Sequence, residues 1–212
     1  PGTYTVTYTT AGSCPNSSGV GVTINALDDA SFNYGAAAYC VDASYPTPTI
    51  TGLGGGTFSS TGGLNINAGT GAIDVSASTP GTYTVTYTTA GSCPNSSGVG
   101  VTINALDDAS FNYGAAAYCV DAVDPTPTIT GLGGGTFSST GGLSINASTG
   151  VINVSASSPS TYTVTYTTAG PCPNSSNVSI RLGEAVSITG ATEVCLGSSI
   201  TLTGNGTAAT VD

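Results

Sequence analysis

The sequence contains no lysine and no histidine; its single basic residue, Arg181, stands against 11 acidic ones, for a formal charge of −10. Nucleic-acid binding rests on Lys and Arg neutralising phosphates, so this balance argues against that class of partner. The missing imidazole and amine also remove the usual proton carrier, the Schiff-base nucleophile and the commonest metal ligand. Carboxylates, hydroxyls and thiols are left. Paired acids can cleave glycosides, but the Asp residues here sit beside turn residues, as solvated loop carboxylates do, and Asp74 of one repeat is Asn153 in the next. The chain therefore reads as not an enzyme, with no catalytic and no cofactor-binding residue.

No run of 18 apolar residues is present, so no segment reads as a membrane span, and the first residues do not read as a signal peptide. Charged residues are only 6% of the chain. A disordered chain is usually rich in charge, whereas here Gly, Ser, Thr and Asn are interleaved with recurring Val, Ile and Tyr. No helical periodicity appears.

Residues 1–79 and 80–158 align without a gap and differ at seven positions: Ser44/Val123, Tyr45/Asp124, Asn65/Ser144, Gly69/Ser148, Ala72/Val151, Asp74/Asn153 and Thr79/Ser158. A third copy begins at Pro159 and diverges after Ser176. A 79-residue period exceeds most solenoid units and is long enough for one sandwich per repeat. The stretch "GTYTVTYTTA" at 81–90 puts Tyr83, Val85 and Tyr87 on one face and Thr residues on the other, which is strand alternation. Similar short runs at 31–34, 47–51, 56–60, 64–67, 72–75 and 98–103 complete about seven strands, broken by glycine turns such as "GLGGG" at 52–56. The expected fold is all-β: tandem Ig-like antiparallel β-sandwiches of about seven strands each. With "INALDD" at 24–29 and 103–108 taken as the joins, complete domains run over 27–105 and 106–183. Residues 1–26 then read as the last strands of a preceding repeat, and 184–212 as the first strands of a following, different Ig-like domain.

Six cysteines fall at 14, 40, 93, 119, 172 and 195. Each expected domain holds one pair, Cys40 with Cys93 and Cys119 with Cys172, both 53 residues apart. A staple closing such a loop stabilises by about 4 kcal/mol, useful to a core this small. The other scheme pairs Cys14 with Cys40, Cys93 with Cys119 and Cys172 with Cys195 across joins, at a spacing that slips from 26 to 23 residues. Either implies an oxidising, extracytoplasmic setting. With no CxxC and no His, a cysteine metal site is disfavoured.

Asn16, Asn95, Asn146, Asn153, Asn174, Asn177 and Asn205 open N-x-S/T triplets and are the candidate glycosylation sites. In a chain this rich in Asn, Ser and Thr, such triplets also arise by chance. Asp28, Asp29 and Asp42, with Asp107, Asp108 and Asp121, are weak candidate ligands for a structural Ca²⁺ at the joins. A solvated acidic linker is the simpler account of them, because no dense DxDxD run occurs. Rows of outward Thr could suit an ice surface, though Thr is also a good strand former.

The paired stretches "GLNINAGTGAIDVSASTPGTYTVTYTT" (63–89) and "GLSINASTGVINVSASSPSTYTVTYTT" (142–168), with "PTPTITGLGGGTFSST" and "AGSCPNSS", resemble the Ig-like and cadherin-like repeats of very large Bacteroidota surface and secreted proteins. The closing "ITGATEVCLGSSITLTGNGTA" resembles a second Ig-like type of the same proteins. The resemblance implies export, often by the type IX route, and a role in adhesion, gliding or surface structure. It names no catalytic residue, and the acidic linker motif of Ca²⁺-binding cadherins is missing. The functional expectation is a structural repeat of an extracellular fibre, self-assembling with other copies of the same chain. The alternative is a multivalent cell-surface adhesin that binds glycan or protein through sandwich-end loops, with Tyr39, Tyr45, Tyr118 or the "GLGGG" turns contributing.

Overall fold

In the computed structural model the described residues are 1–184, together with the backbone of two short strands, 187–189 and 203–205. All secondary structure among them is β. The chain divides into two compact units, Pro1–Ala105 and Leu106–Asp212.

Unit 1 opens with a hairpin of β1 (Gly2–Thr9) and β2 (Ser17–Ile24). Eight strands follow: β3 (Phe32–Asn33), β4 (Ala38–Cys40), β5 (Thr49–Ile50), β6 (Thr57–Ser60), β7 (Asn65–Ile66), β8 (Ile73–Asp74), β9 (Gly81–Thr88) and β10 (Ser96–Asn104). The main sheet has the order β4-β10-β9-β6, and β3-β5 and β7-β8 form two small ladders. The expected all-antiparallel pairing has one exception. β4 runs parallel to β10, with Cys40 opposite Asn104.

The alternation read from the sequence is what fills the core. Tyr83, Val85 and Tyr87 of β9 and Val101 and Ile103 of β10 point inward onto Phe32, Tyr34, Phe58, Ile73 and Val75. Their Thr neighbours face out and pair across the strands, as Thr82 does with Thr102 through their hydroxyls at 3.1 Å. At the centre Phe32 meets Phe58 edge-on, with centroids 5.4 Å apart, and Phe58 lies 4.6 Å from Tyr87. Tyr83 Oη donates back to the carbonyl of Thr79 four residues upstream, pinning the entry to β9.

Unit 2 repeats this plan with β11 (Phe111–Asn112), β12 (Ala117–Cys119), β13 (Thr128–Ile129), β14 (Thr136–Ser139), β15 (Ser160–Thr167) and β16 (Ser175–Gly183), its main sheet ordered β12-β16-β15-β14. An isolated bridge between Ile145 and Ile152 stands where unit 1 has β7 and β8. β17 (Ser187–Thr189) and β18 (Thr203–Asn205) pair beyond it. The aromatic centre is reproduced, Phe137 lying 4.6 Å from Tyr166.

The β1-β2 hairpin has the sequence of β9-β10 without its environment. Val6 is 57% exposed where its counterpart Val85 is fully buried, so the same residues carry an apolar face with no layer over it.

Candidate functional site

Both ends of each sandwich are built from residues that the sequence marks as candidate sites. Where the chain leaves the β1-β2 hairpin and starts the first sandwich, Asp28 clasps the β9-β10 turn. Its carboxylate accepts the Thr89 hydroxyl at 3.0 Å, its carbonyl accepts Asn95 Nδ2 at 3.0 Å, and its own N–H donates to the Cys93 carbonyl at 2.9 Å. Thr89 Oγ1 in turn accepts the Asn95 N–H at 2.9 Å. Unit 2 repeats the clasp with Asp107, Thr168, Asn174 and Cys172 at nearly the same distances.

The next acid caps a turn. Asp29 accepts the Ser31 hydroxyl and, at 2.9 Å, the Ser31 N–H, and these bonds hold its carboxyl below the ordinary carboxylate value. Asp108 is lowered by the hydroxyl and N–H of Ser110 in the same way. Behind it the chain packs so closely that a Cβ on Gly52 would lie 2.2 Å from the Asp29 carbonyl oxygen.

Asp42 belongs to the other end. It follows Val41, whose N–H donates to the Asn104 carbonyl at 3.0 Å, while Asp28 is bonded to Cys93, beyond the opposite end of β10. Asp28 and Asp29 therefore do not meet Asp42 within one domain, and Asp107 and Asp108 do not meet Asp121. Among the described residues no group of three or more His, Cys, Asp or Glu could hold a metal ion.

The same geometry corrects the within-domain disulfides. Cys40 lies beside Asn104 and Cys93 beyond Ser96, with the nine-residue β10 between them. At about 3.3 Å per residue the separation is about 26 Å, far outside the Cα reach of about 7 Å for a disulfide. Cys14, Cys93 and Cys119 are free thiols, whereas Cys40 and Cys172 are each in a disulfide. The free thiols also remove the Cys14–Cys40 and Cys93–Cys119 pairings of the other scheme. Cys195 lies outside the described residues.

The N-x-S/T triplets fall into two environments. Asn95 and Asn174 are half-buried and spend their side-chain N–H groups on the clasp. Asn16, Asn146, Asn153 and Asn177 are exposed, Asn146 and Asn153 closing local turns with their carbonyl oxygens and Asn177 accepting the Thr165 hydroxyl. The Asn205 side chain lies outside the described residues.

Of the tyrosines considered for ligand contact, Tyr39 and Tyr118 are committed to structure, their hydroxyls accepting the N–H of Ala36 and Ala115 at 2.8 Å. The "GLGGG" turn is tied down as well: Tyr87 Oη donates to the Leu53 carbonyl at 2.7 Å and accepts the Gly56 N–H at 2.9 Å. Tyr45 is exposed, and its hydroxyl bonds Asp74, whose carboxyl is lowered chiefly by the Ser76 hydroxyl and the Ala77 N–H.

Sequence reasoning missed what the copy differences share. A shallow surface patch of unit 2 is lined by Asp124, Ser144, Ile145, Asn146, Thr149, Val151 and Asn153. Four of these occupy positions where the repeats differ, and Val123 and Ser148 adjoin them in sequence. Tyr45 facing Asp74 becomes Asp124 facing Asn153, so the new carboxylate never meets an old one. Asp124 instead accepts the Val154 N–H at 3.0 Å.

No family model and no curated protein matches this chain. Solved structures do. The likeness is to cadherin extracellular repeats. Mouse cadherin-23 EC22–24 is 18% identical, at a TM-score of 0.31, over 86% of this chain and 74% of that one. Mouse clustered PcdhgC3 EC1–3 is 11% identical at 0.33, over 86% and 77%. The protocadherin γB7 EC3–6 cis-dimer structure is 16% identical at 0.34, over 85% and 58%. Among the described residues no helix is long and apolar enough to cross a membrane.

Proposed function

We propose that this chain is a non-catalytic structural segment of an extracellular fibre, in which repeated sandwiches supply reach and stiffness. One observation carries this reading: the polar groups at the β9-β10 turn end of the first sandwich, and at the matching end of the second, are consumed internally in the same way in both copies. Asp28, Thr89 and Asn95, and Asp107, Thr168 and Asn174, bond one another, and no described buried side-chain polar atom lacks a partner. A domain whose reactive groups are spent on its own fold is suited to repetition. The resemblance of its motifs to Bacteroidota surface repeats supports a cell-surface location, and other copies of the same chain are the partners this reading expects.

The adhesin reading draws on a different observation, the clustering of copy differences around Tyr45 and Asp124. Neighbouring repeats thus present different surfaces on one patch. Electron microscopy of arrays of increasing copy number, with and without alanine at Tyr45 and Asp124, separates the two. The fibre reading expects length to grow by an equal increment per repeat and cell attachment to be unaffected by the substitutions; attachment lost with them would favour the adhesin.

A further inference from the structure

We propose that the open edge of β10 in unit 1 is a contact surface for a second copy of this chain, which adds its own β10 antiparallel across a two-fold axis and continues the main sheet from one molecule into the next.

The bonding of the strand defines the edge. In the main sheet β10 lies between β9 and β4, but β4 covers it only from Thr102 to Asn104. Thr102 donates its N–H to the Ala37 carbonyl at 2.8 Å, and the Asn104 carbonyl accepts the Val41 N–H at 3.0 Å, so these two residues turn their backbone groups away from β9. Every second residue of a strand directs its groups to the same side. Ser96, Gly98 and Gly100 therefore aim N–H and C=O outward where β4 no longer reaches, and all three are exposed. The ladder to β9, from Ser96 opposite Thr88 to Ile103 opposite Gly81, holds them in strand geometry.

The edge lacks the usual protections. Natural sheets blunt an open edge with Lys, Pro, other charges or a bulge. Residues 96–101 read SSGVGV, without charge or proline, and their ladder to β9 skips no residue. Val99 and Val101 turn to the core. On the outer face Gly98 and Gly100 have no side chain, and a Cβ at Gly100 would meet nothing within 4 Å, so another strand can approach without displacing anything. Unit 2 differs at the same positions. Gly98, Gly100 and Thr102 become Asn177, Ser179 and Arg181, and the one basic residue of the chain stands exposed on that edge.

The partner that fits is the same edge of another copy. With Gly98 opposite the partner's Gly98, Ser96 faces the partner's Gly100 and Gly100 the partner's Ser96. Each of these pairs exchanges two N–H···O bonds, about six in all. The arrangement is its own two-fold mate, so it closes as an isologous contact. Main-chain bonds supply the affinity of strand addition, and repetition along an array strengthens a contact that is small by itself.

This names the contact between copies that the fibre reading calls for, and it rests on that reading for its purpose. Failure of the edge contact would leave the array itself standing, whereas the fibre reading fails where material at native length shows no order. Because β2 has the same edge sequence, the 212-residue chain is first given Gly19→Asn, Gly21→Ser and Thr23→Arg, the residues of unit 2, and its thiols are alkylated. Sedimentation equilibrium should then show the mass rising from one chain towards two with concentration, and NMR amide exchange at Gly98 and Gly100 should slow in step. Adding Gly98→Asn, Gly100→Ser and Thr102→Arg, which unit 2 carries in the same fold, should abolish both effects and leave the circular dichroism unchanged. A monomer at every concentration, exchange at Gly98 and Gly100 that does not respond, or association that the second set of substitutions leaves unaltered, as docking through the apolar face of β1-β2 would give, would overturn the proposal.

Discussion

Asp28 and Thr89 lie 61 residues apart in sequence and 3.0 Å apart in space, joining the first residues of the domain to the tip of its longest hairpin. Thr89 is 3% exposed, so losing the carboxylate leaves a buried hydroxyl with poorer bonding. Asp28→Ala should cost unit 1 about 1–3 kcal/mol. Urea unfolding should show one domain's transition shifted and the other's unchanged, with unit 2 as the internal reference.

The duplicated hairpin allows one substitution to be tested in two environments. Ile103 is fully buried and its counterpart Ile24 is 56% exposed. Ile103→Ala should destabilise by about 2–5 kcal/mol, and Ile24→Ala by less than about 0.5 kcal/mol. Thermal unfolding of the two variants checks the difference.

The exchanged pair on the surface patch predicts a rescue. Tyr45→Asp places a carboxylate against Asp74 and removes a hydrogen bond, so the melting temperature of unit 1 should fall. Adding Asp74→Asn recreates the Asp124–Asn153 arrangement and should restore most of the loss; additive losses in the double variant would show that the two positions are not coupled.

Alkaline titration addresses the tyrosines under the turn. Tyr34 Oη donates to the Gly71 carbonyl at 2.6 Å, and burial, with a smaller contribution from Tyr39, pushes its pKa up to about 12. Burial raises Tyr113 as well. Because the folded value lies above the unfolded one, this stability is complete below about pH 10 and is lost as the pH rises towards 12. Tyrosinate absorbance should show an early class that excludes Tyr34 and a late one that coincides with unfolding, and Tyr34→Phe should diminish the late class.

Much of the architecture was legible because it is local. The alternation of Tyr83, Val85 and Tyr87 with threonines named a strand and its buried face, and the exact 79-residue period named the repeating unit. What escaped is non-local. Nothing in "AAAYC" tells that three residues, Ala38–Cys40, pair in parallel with a strand more than 60 residues later. The equal 53-residue spacing of Cys40–Cys93 and Cys119–Cys172 looked like a staple, yet spacing is silent on which end of β10 each cysteine occupies. The acids were legible as loop residues but not as hydrogen-bond acceptors, because the Asp28 clasp needs partners from a hairpin at the far end of the repeat.

The fibre reading is tested most directly by cryo-electron microscopy of the material at its native length. The account predicts ordered filaments in which successive sandwiches repeat along the axis with recurring contacts between copies of the chain. Isolated, freely bending strings with no such contacts would contradict it.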